Sequence, residues 1–228
     1  MDTSTIDATK LPATERWRRA LTALARVLAN PTETDQVLVF SMYMNAGSMP
    51  SRIHRFFDDA RGQRLFDEHR TIDTRTVDLA ALAQLPEGTL GRAYAEFLSS
   101  RGLSPDVFQD APKEVPDPRM AYVIQRIRQT HDLWHVVTGY NTDAASEVAL
   151  QAFTFAQVRA PSSAILAVLG TMRAARTKPD LPRDVVRAFR LGRRAKALPV
   201  FPWEDHWTTP LAEVRVLLGL PAVPAHAA

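Results

Sequence analysis

Met120, Ile124, Ile127, His131 and His135 recur at spacings of four, three, four and four. Such positions fall on one stripe only in a helix, so the pattern predicts one continuous helix from Arg119 to Thr138. Gly139-Tyr-Asn-Thr-Asp143 then reads as a tight turn. A second helix follows from about Ala144 to Val158 and is stopped by Pro161. The pair forms an antiparallel helical hairpin. Its apolar stripe needs other helices to cover it, and this sets the class of the whole chain.

The remaining segments carry helix signals too. Thr14 is placed to cap a helix from Glu15 to about Ala29, stopped by Asn30-Pro31. Thr32 is placed to cap the next, through Phe40 to about Ala46. Ser48-Met-Pro50 opens a short helix with Ile53, Phe56 and Phe57. Arg61 to Thr76 is polar and gives no clear pattern. Asp78 to Leu85 and Thr89 to Ser99 read as two short helices, Ser163 to about Arg176 as a small-residue helix, and Leu181 to Ala197 as a basic amphipathic one. Pro199 to Pro210 is an aromatic loop, and Leu211 to Leu218 a last short helix. Prolines at 105, 112, 116 and 118 make residues 104–118 a linker or a surface loop. Neither side of it has an evident core of its own. The expectation is an all-α, single-domain irregular helical bundle. Residues 1–30 form a tail with a basic amphipathic helix, 31–220 the helical domain and 221–228 a disordered tail.

Apolar residues make up 46% of the 228, enough to bury a core. No cysteine is present, which removes disulfides, thiolate metal sites and cysteine nucleophiles together. Net charge is only +3 and lysine occurs just at 10, 113, 178 and 196. The arginine excess, including the stretch Arg187 to Lys196, therefore reads as solvated surface and not as a nucleic-acid site. No run of about 18 uncharged apolar residues occurs. Asp2 and Asp7 in a start without an apolar core argue against a signal or transit peptide. The expected location is the bacterial cytoplasm, peripheral on the inner membrane. Trp17, Leu21, Leu24 and Leu28 lie opposite Arg16, Arg18 and Arg19, a pattern for an anionic membrane surface or equally for a packed surface helix.

His131-Asp132-Leu133-Trp134-His135, eleven residues and then Glu147 carry the chemistry. Histidines at i and i+4 stand one above the other and converge on one ion, as in the helical H-E-x-x-H motif. Asp132 sits roughly 100° round the helix from His131. His135 lies four residues before Gly139 and Glu147 four after Asp143. In an antiparallel hairpin both are then roughly 6 Å from the bend, across a gap of about 8–10 Å that two side chains close. The donor set suits zinc, and also manganese, iron, cobalt or magnesium. The competing reading is satisfied core histidines, with Asp132 paired to Arg128 and Glu147 favouring a helix N-terminus. Trp203-Glu-Asp-His206-Trp207 also collects acids and a histidine, but without helical ligand spacing.

The motif and its surroundings resemble the coenzyme Q (ubiquinone) biosynthesis protein 4 family. The family's H-D-x-x-H, eleven residues, E falls on His131, Asp132, His135 and Glu147. The run from Tyr122 to Gly139 is similar to its central segment, Leu85 to Tyr94 to its upstream segment, and Trp203-Glu204 with Leu211 and Arg215 to its C-terminal part. The resemblance implies those four residues as ligands of one divalent metal, zinc first, and an all-α fold with an apolar channel for a polyprenyl tail. It further implies action on a polyprenylated 4-hydroxybenzoate derivative. Two roles are open: metal-dependent, oxidative decarboxylation at C1 of the ring, or a non-catalytic lipid-binding scaffold that organises the other ubiquinone biosynthesis proteins. Metal-dependent hydrolysis is a third reading, and it lacks a spare carboxylate to act as base. In the decarboxylase reading, Arg126 and Arg128 neutralise the substrate carboxylate, Tyr122 and Gln125 are weaker candidates, and solvated helix surface is the alternative for both arginines. The small residues of Ser163 to Gly170 fit a channel wall or an ordinary core helix. A homodimer is a further expectation that no residue pattern supports.

Overall fold

The structure is a computed structural model and describes residues 7–30, 34–110, 112 and 115–222. Among these, twelve α-helices are joined by short 3-10 turns, and the nearest approach to a sheet is one isolated bridge between Thr89 and Pro210. The helices are α1 (Ala13–Ala29), α2 (Thr34–Asn45), α3 (Met49–Phe57), α4 (Ala60–Asp67), α5 (Leu79–Ala83) and α6 (Leu90–Ser99). They continue with α7 (Pro118–Gln129), α8 (His131–Thr138), α9 (Ala144–Val158), α10 (Pro161–Ala174), α11 (Leu181–Arg194) and α12 (Leu211–Leu217). Caps written in the sequence start many of them. Asp59, Asp78, Thr89, Asp117 and Asp143 each accept a first-turn backbone N–H, which meets donors that a helix leaves open.

Several expectations change. α1 begins at Ala13 behind Pro12, so Thr14 lies inside it and does not cap it. Thr32, the expected cap of α2, and residues 223–228 of the expected tail 221–228 lie outside the described residues. The polar stretch after residue 60 holds α4 and then a loop around Asp73, whose fully buried carboxylate takes the Arg75 N–H at 2.9 Å and its guanidinium at 2.8 Å. The proline-rich segment is tied down: Thr74 N–H donates to Asp106 at 2.9 Å and Gln125 donates to the Gln109 carbonyl at 2.8 Å. The predicted helix 119–138 is two helices. At Thr130 the backbone turns to φ −90°, ψ −2°. Both its N–H (3.0 Å) and its hydroxyl (2.9 Å) donate to the Arg126 carbonyl. Back-bonding of a threonine hydroxyl to the carbonyl four residues earlier bends helices.

Three apolar clusters hold the bundle. The largest joins Leu90, Tyr94 and Leu98 of α6, Leu133, Trp134 and Val137 of α8, Leu150 and Phe153 of α9, and Trp203, Val214 and Leu218. Each such fully buried side chain is worth about 1.5–3 kcal/mol relative to exposure. A second cluster packs Ala20, Ala23 and Leu24 of α1 on Phe40 and Tyr43 of α2, with Ile165, Leu166 and Leu169 of α10 against them. The packed face of α1 is thus turned from the expected stripe. Leu24 alone of that stripe is buried, and Trp17, Leu21 and Leu28 stay exposed. A third cluster sets Phe56 and Leu65 on Tyr122 and Val123. The small residues of α10 serve close packing: a Cβ on Gly170 would meet Val148 Cγ2 at 2.3 Å. α9 lies chiefly along α11 and α10, and α8 lies against α6. The expected α8–α9 hairpin is therefore loose, bridged by side chains and not by close backbones.

Candidate metal centre

The break at Thr130 starts a fresh helix whose first turn carries His131 and Asp132, with His135 one turn on. Gly139 ends it in the left-handed region, φ 79°, and donates its N–H to the His135 carbonyl at 2.7 Å. This turn brings the Tyr140 carbonyl to 2.9 Å from His135 Nδ1. A carbonyl only accepts, so Nδ1 carries a hydrogen, and the lone pair of the neutral ring is then at Nε2. His135 is 1% exposed, and its Nε2 stands 3.3 Å from Oε1 of Glu147, on the first turn of α9. Two acceptors facing each other at that distance repel unless a cation, a proton or a metal ion, lies between them.

His131 Nδ1 and Asp132 Oδ1 are 3.6 Å apart, and the His131 and His135 rings meet edge-on at 4.8 Å. One donor atom from each of His131, Asp132 and His135 lies within 4.8 Å of the others. Two donors bound at about 2.0–2.1 Å on a tetrahedral ion stand about 3.3 Å apart. The His135–Glu147 and His131–Asp132 separations fit that edge, and the part-exposed His131 and Asp132 side chains have room to close the longer one. Burial acts to lower the His131 pKa, but the Asp132 carboxylate and the Glu147 charge outweigh it and hold it above the ordinary histidine value.

α6 forms one wall. Phe97 stacks on the His135 ring at 5.4 Å and 25°, and the Arg101 guanidinium lies 4.0 Å over the Phe97 ring. Arg101 also donates to the Asn141 and Thr142 side chains and so ties the 139–143 turn to α6. Tyr94, one turn earlier, is fully buried beside the cluster. Spacing does not reveal Tyr94, Phe97, Arg101 or the Tyr140 carbonyl as parts of this site, because the α6–α8 contact is remote in sequence. Phe97 and Arg101 do share one helical face at i and i+4, and Tyr94 ends the upstream segment of the resemblance.

The remaining candidates go elsewhere. Arg126 is fully buried, grips both oxygens of Glu204 and donates to the Phe201 carbonyl at 3.0 Å. The Tyr122 hydroxyl lies 2.8 Å from the Leu65 carbonyl and 2.9 Å from that of Arg70. Gln125 is bound to the 109 loop, and Arg128 is half-buried on α7. In the aromatic loop His206 stacks on Phe201 at 4.8 Å and Trp203 is buried in the core. That loop is structural.

Residues 7–224 match the family described as coenzyme Q (ubiquinone) biosynthesis protein Coq4. The chain is similar to the mitochondrial COQ4 homolog of Rattus norvegicus, 32% identical over 220 residues, 95% of this chain and 83% of that protein. It is also similar to the mitochondrial COQ4 homolog of Homo sapiens, 32% identical over 204 residues, 89% of this chain and 77% of that protein. It spans 65% of the length of the COQ4 protein of Laccaria bicolor, to which it is 31% identical. A crystal structure of a Nostoc punctiforme protein assigned to ubiquinone biosynthesis superposes with a TM-score of 0.71 at 28% identity, covering 89% of this chain and 97% of that one. A histidine–carboxylate cluster on an all-α frame and a family match over nearly the whole chain agree, and the chain belongs to the coenzyme Q (ubiquinone) biosynthesis protein Coq4 family.

Proposed function

We propose that the chain is a metal-dependent carbon–carbon lyase of ubiquinone biosynthesis that removes the C1 carboxylate of a polyprenylated 4-hydroxybenzoate derivative. Its His131, Asp132, His135 and Glu147 hold one divalent ion, zinc first among the candidates. The reading rests on one observation: His135, its Nδ1 bound to the Tyr140 carbonyl, aims Nε2 at Glu147 from 3.3 Å. A bound divalent ion supplies Lewis acidity and an anchor for the oxygens of an anionic head group. The chain's residues hold that anchor: Tyr140 and Phe97 orient His135, and Arg101 fixes the turn. As carbon dioxide leaves, its bonding pair stays at the ring carbon and takes up a proton from solvent there. The oxidative form, with hydroxylation at that carbon, draws on an external oxidant.

A purified assay tests this. Metal analysis is expected to give one equivalent in the wild type and a loss in His135→Ala, with carbon dioxide release falling in parallel. Retention of both metal and release in His135→Ala overturns the reading. A second reading is a lipid-binding scaffold for the other ubiquinone biosynthesis proteins. Three donors within 4.8 Å of one another, with Glu147 3.3 Å from His135, leave room for a closed four-ligand shell, and such shells are structural. A metal-replete chain that binds prenylated hydroxybenzoate without releasing carbon dioxide supports the scaffold. Exposed Trp17, Leu21 and Leu28 beside Arg18 support a peripheral place on an anionic membrane. Among the described residues no helix is long and apolar enough to cross one.

A further inference from the structure

Of the four tyrosines, Tyr43 meets Arg19 through its hydroxyl, Tyr122 meets two carbonyls, and Tyr140 has an interaction of its own. Tyr94 differs. It is 0% exposed, yet its hydroxyl has no hydrogen-bond partner among the described residues. A buried hydroxyl left unmet is costly. Its ring is fixed by stacking on Trp207 at 5.6 Å and 16°.

The helix register says where that hydroxyl lies. α6 and α8 run side by side in the same direction: Arg101, just past the end of α6, meets Asn141, just past the end of α8, and Phe97 meets His135. Stepping back one turn on each helix, three residues in both cases, sets Tyr94 level with Asp132. Burial raises the Tyr94 pKa above the usual tyrosine value, and Asp132 is the one charge that adds to the rise. The hydroxyl stays protonated and can only gain by donating.

We propose that Tyr94 is a positioning residue of the metal centre, its hydroxyl donating a hydrogen bond to one Asp132 oxygen when the other turns to the ion. The proposal rests on the metal reading above. A ligating carboxylate is held by a hydrogen bond from behind, and loss of such support costs roughly 10–100-fold in metal affinity. Here the support is a side chain from another helix whose donor has no other partner among the described residues.

Zinc affinity, measured by competition with a chelator, and thermal unfolding of the metal-free protein together test it. Tyr94→Phe keeps the Trp207 stack and removes only the hydroxyl. Its metal-free unfolding temperature is expected to equal or exceed that of the wild type, and its zinc affinity to fall roughly 10-fold or more. In an Asp132→Ala background the same change is expected to have no further effect on affinity. Wild-type zinc affinity in Tyr94→Phe overturns the proposal while the metal reading stands. So does a metal-free Tyr94→Phe that melts several degrees lower, or an equal loss of affinity in both backgrounds. Failure of the wild type itself to bind zinc overturns the metal reading and this proposal with it.

Discussion

Glu204→Ala is the sharpest probe of how this fold handles charge. Arg126 is 0% exposed and Glu204 12%. The guanidinium grips both carboxylate oxygens and donates once more to the Phe201 carbonyl at 3.0 Å. Two charges taken out of water are balanced here by geometry, and removing one partner of such a pair costs about 3–5 kcal/mol. The Phe201 carbonyl remains in the variant and keeps part of the guanidinium satisfied, so the lower end, about 3 kcal/mol, is expected. In a protein of this size about 1 kcal/mol moves the melting temperature by about 2–4 °C, which makes the expected drop about 6–12 °C. Calorimetry and urea unfolding measure it, the urea midpoint falling while the slope is unchanged. Glu204→Gln keeps an acceptor and falls between the two. A Glu204→Ala that stays within about 0.5 kcal/mol of wild type refutes the argument, and would return Arg126 to the groups available for a substrate carboxylate.

Other consequences are equally concrete. A Cβ on Gly62 would stand 2.0 Å from the Phe56 carbonyl, so Gly62→Ala must force α3 and α4 apart, costing about 1–3 kcal/mol in urea unfolding. Hydrogen bonds from the Arg75 side chain hold the Asp73 carboxyl below the usual carboxylate range. Its stabilisation is thus complete above the unfolded value of about 3.9 and is lost as pH falls through the lower folded value. Asp73→Asn is expected to flatten the acid limb of a stability profile between roughly pH 5 and 2. Metal removal is expected to lower the melting temperature: zinc at 100 times its dissociation constant adds about 2.7 kcal/mol, and an unchanged melting curve after chelation sinks the metal reading. Replacing Trp17 and Leu21 by glutamate leaves the core intact and is expected to abolish flotation with anionic liposomes.

The approach of His131, Asp132 and His135 to one another was legible in the chain. Local geometry is the reason. His131 and His135 share a helix face by spacing alone, and Gly139 and Asp143 carry the two chemistries that end one helix and begin the next. What spacing misjudged was the helix around them. The 3.6-residue period runs unbroken through Thr130, and the hydroxyl that bends the backbone there competes through a bond that periodicity does not register.

The sequence by itself determined the helical class, most boundaries after residue 45 and the grouping of His131, Asp132 and His135 on one short helix, because each depends on neighbours within about one turn. Only the tertiary structure decided which charges the fold consumes. Arg126 lies a turn before the centre, and Glu204, 78 residues on, takes it. It likewise decided that α6, and not the turn alone, walls the site, stacking Phe97 on His135 and burying Tyr94 one turn earlier on the same helix. Those pairings join segments whose order along the chain carries no period, and packing fixes them.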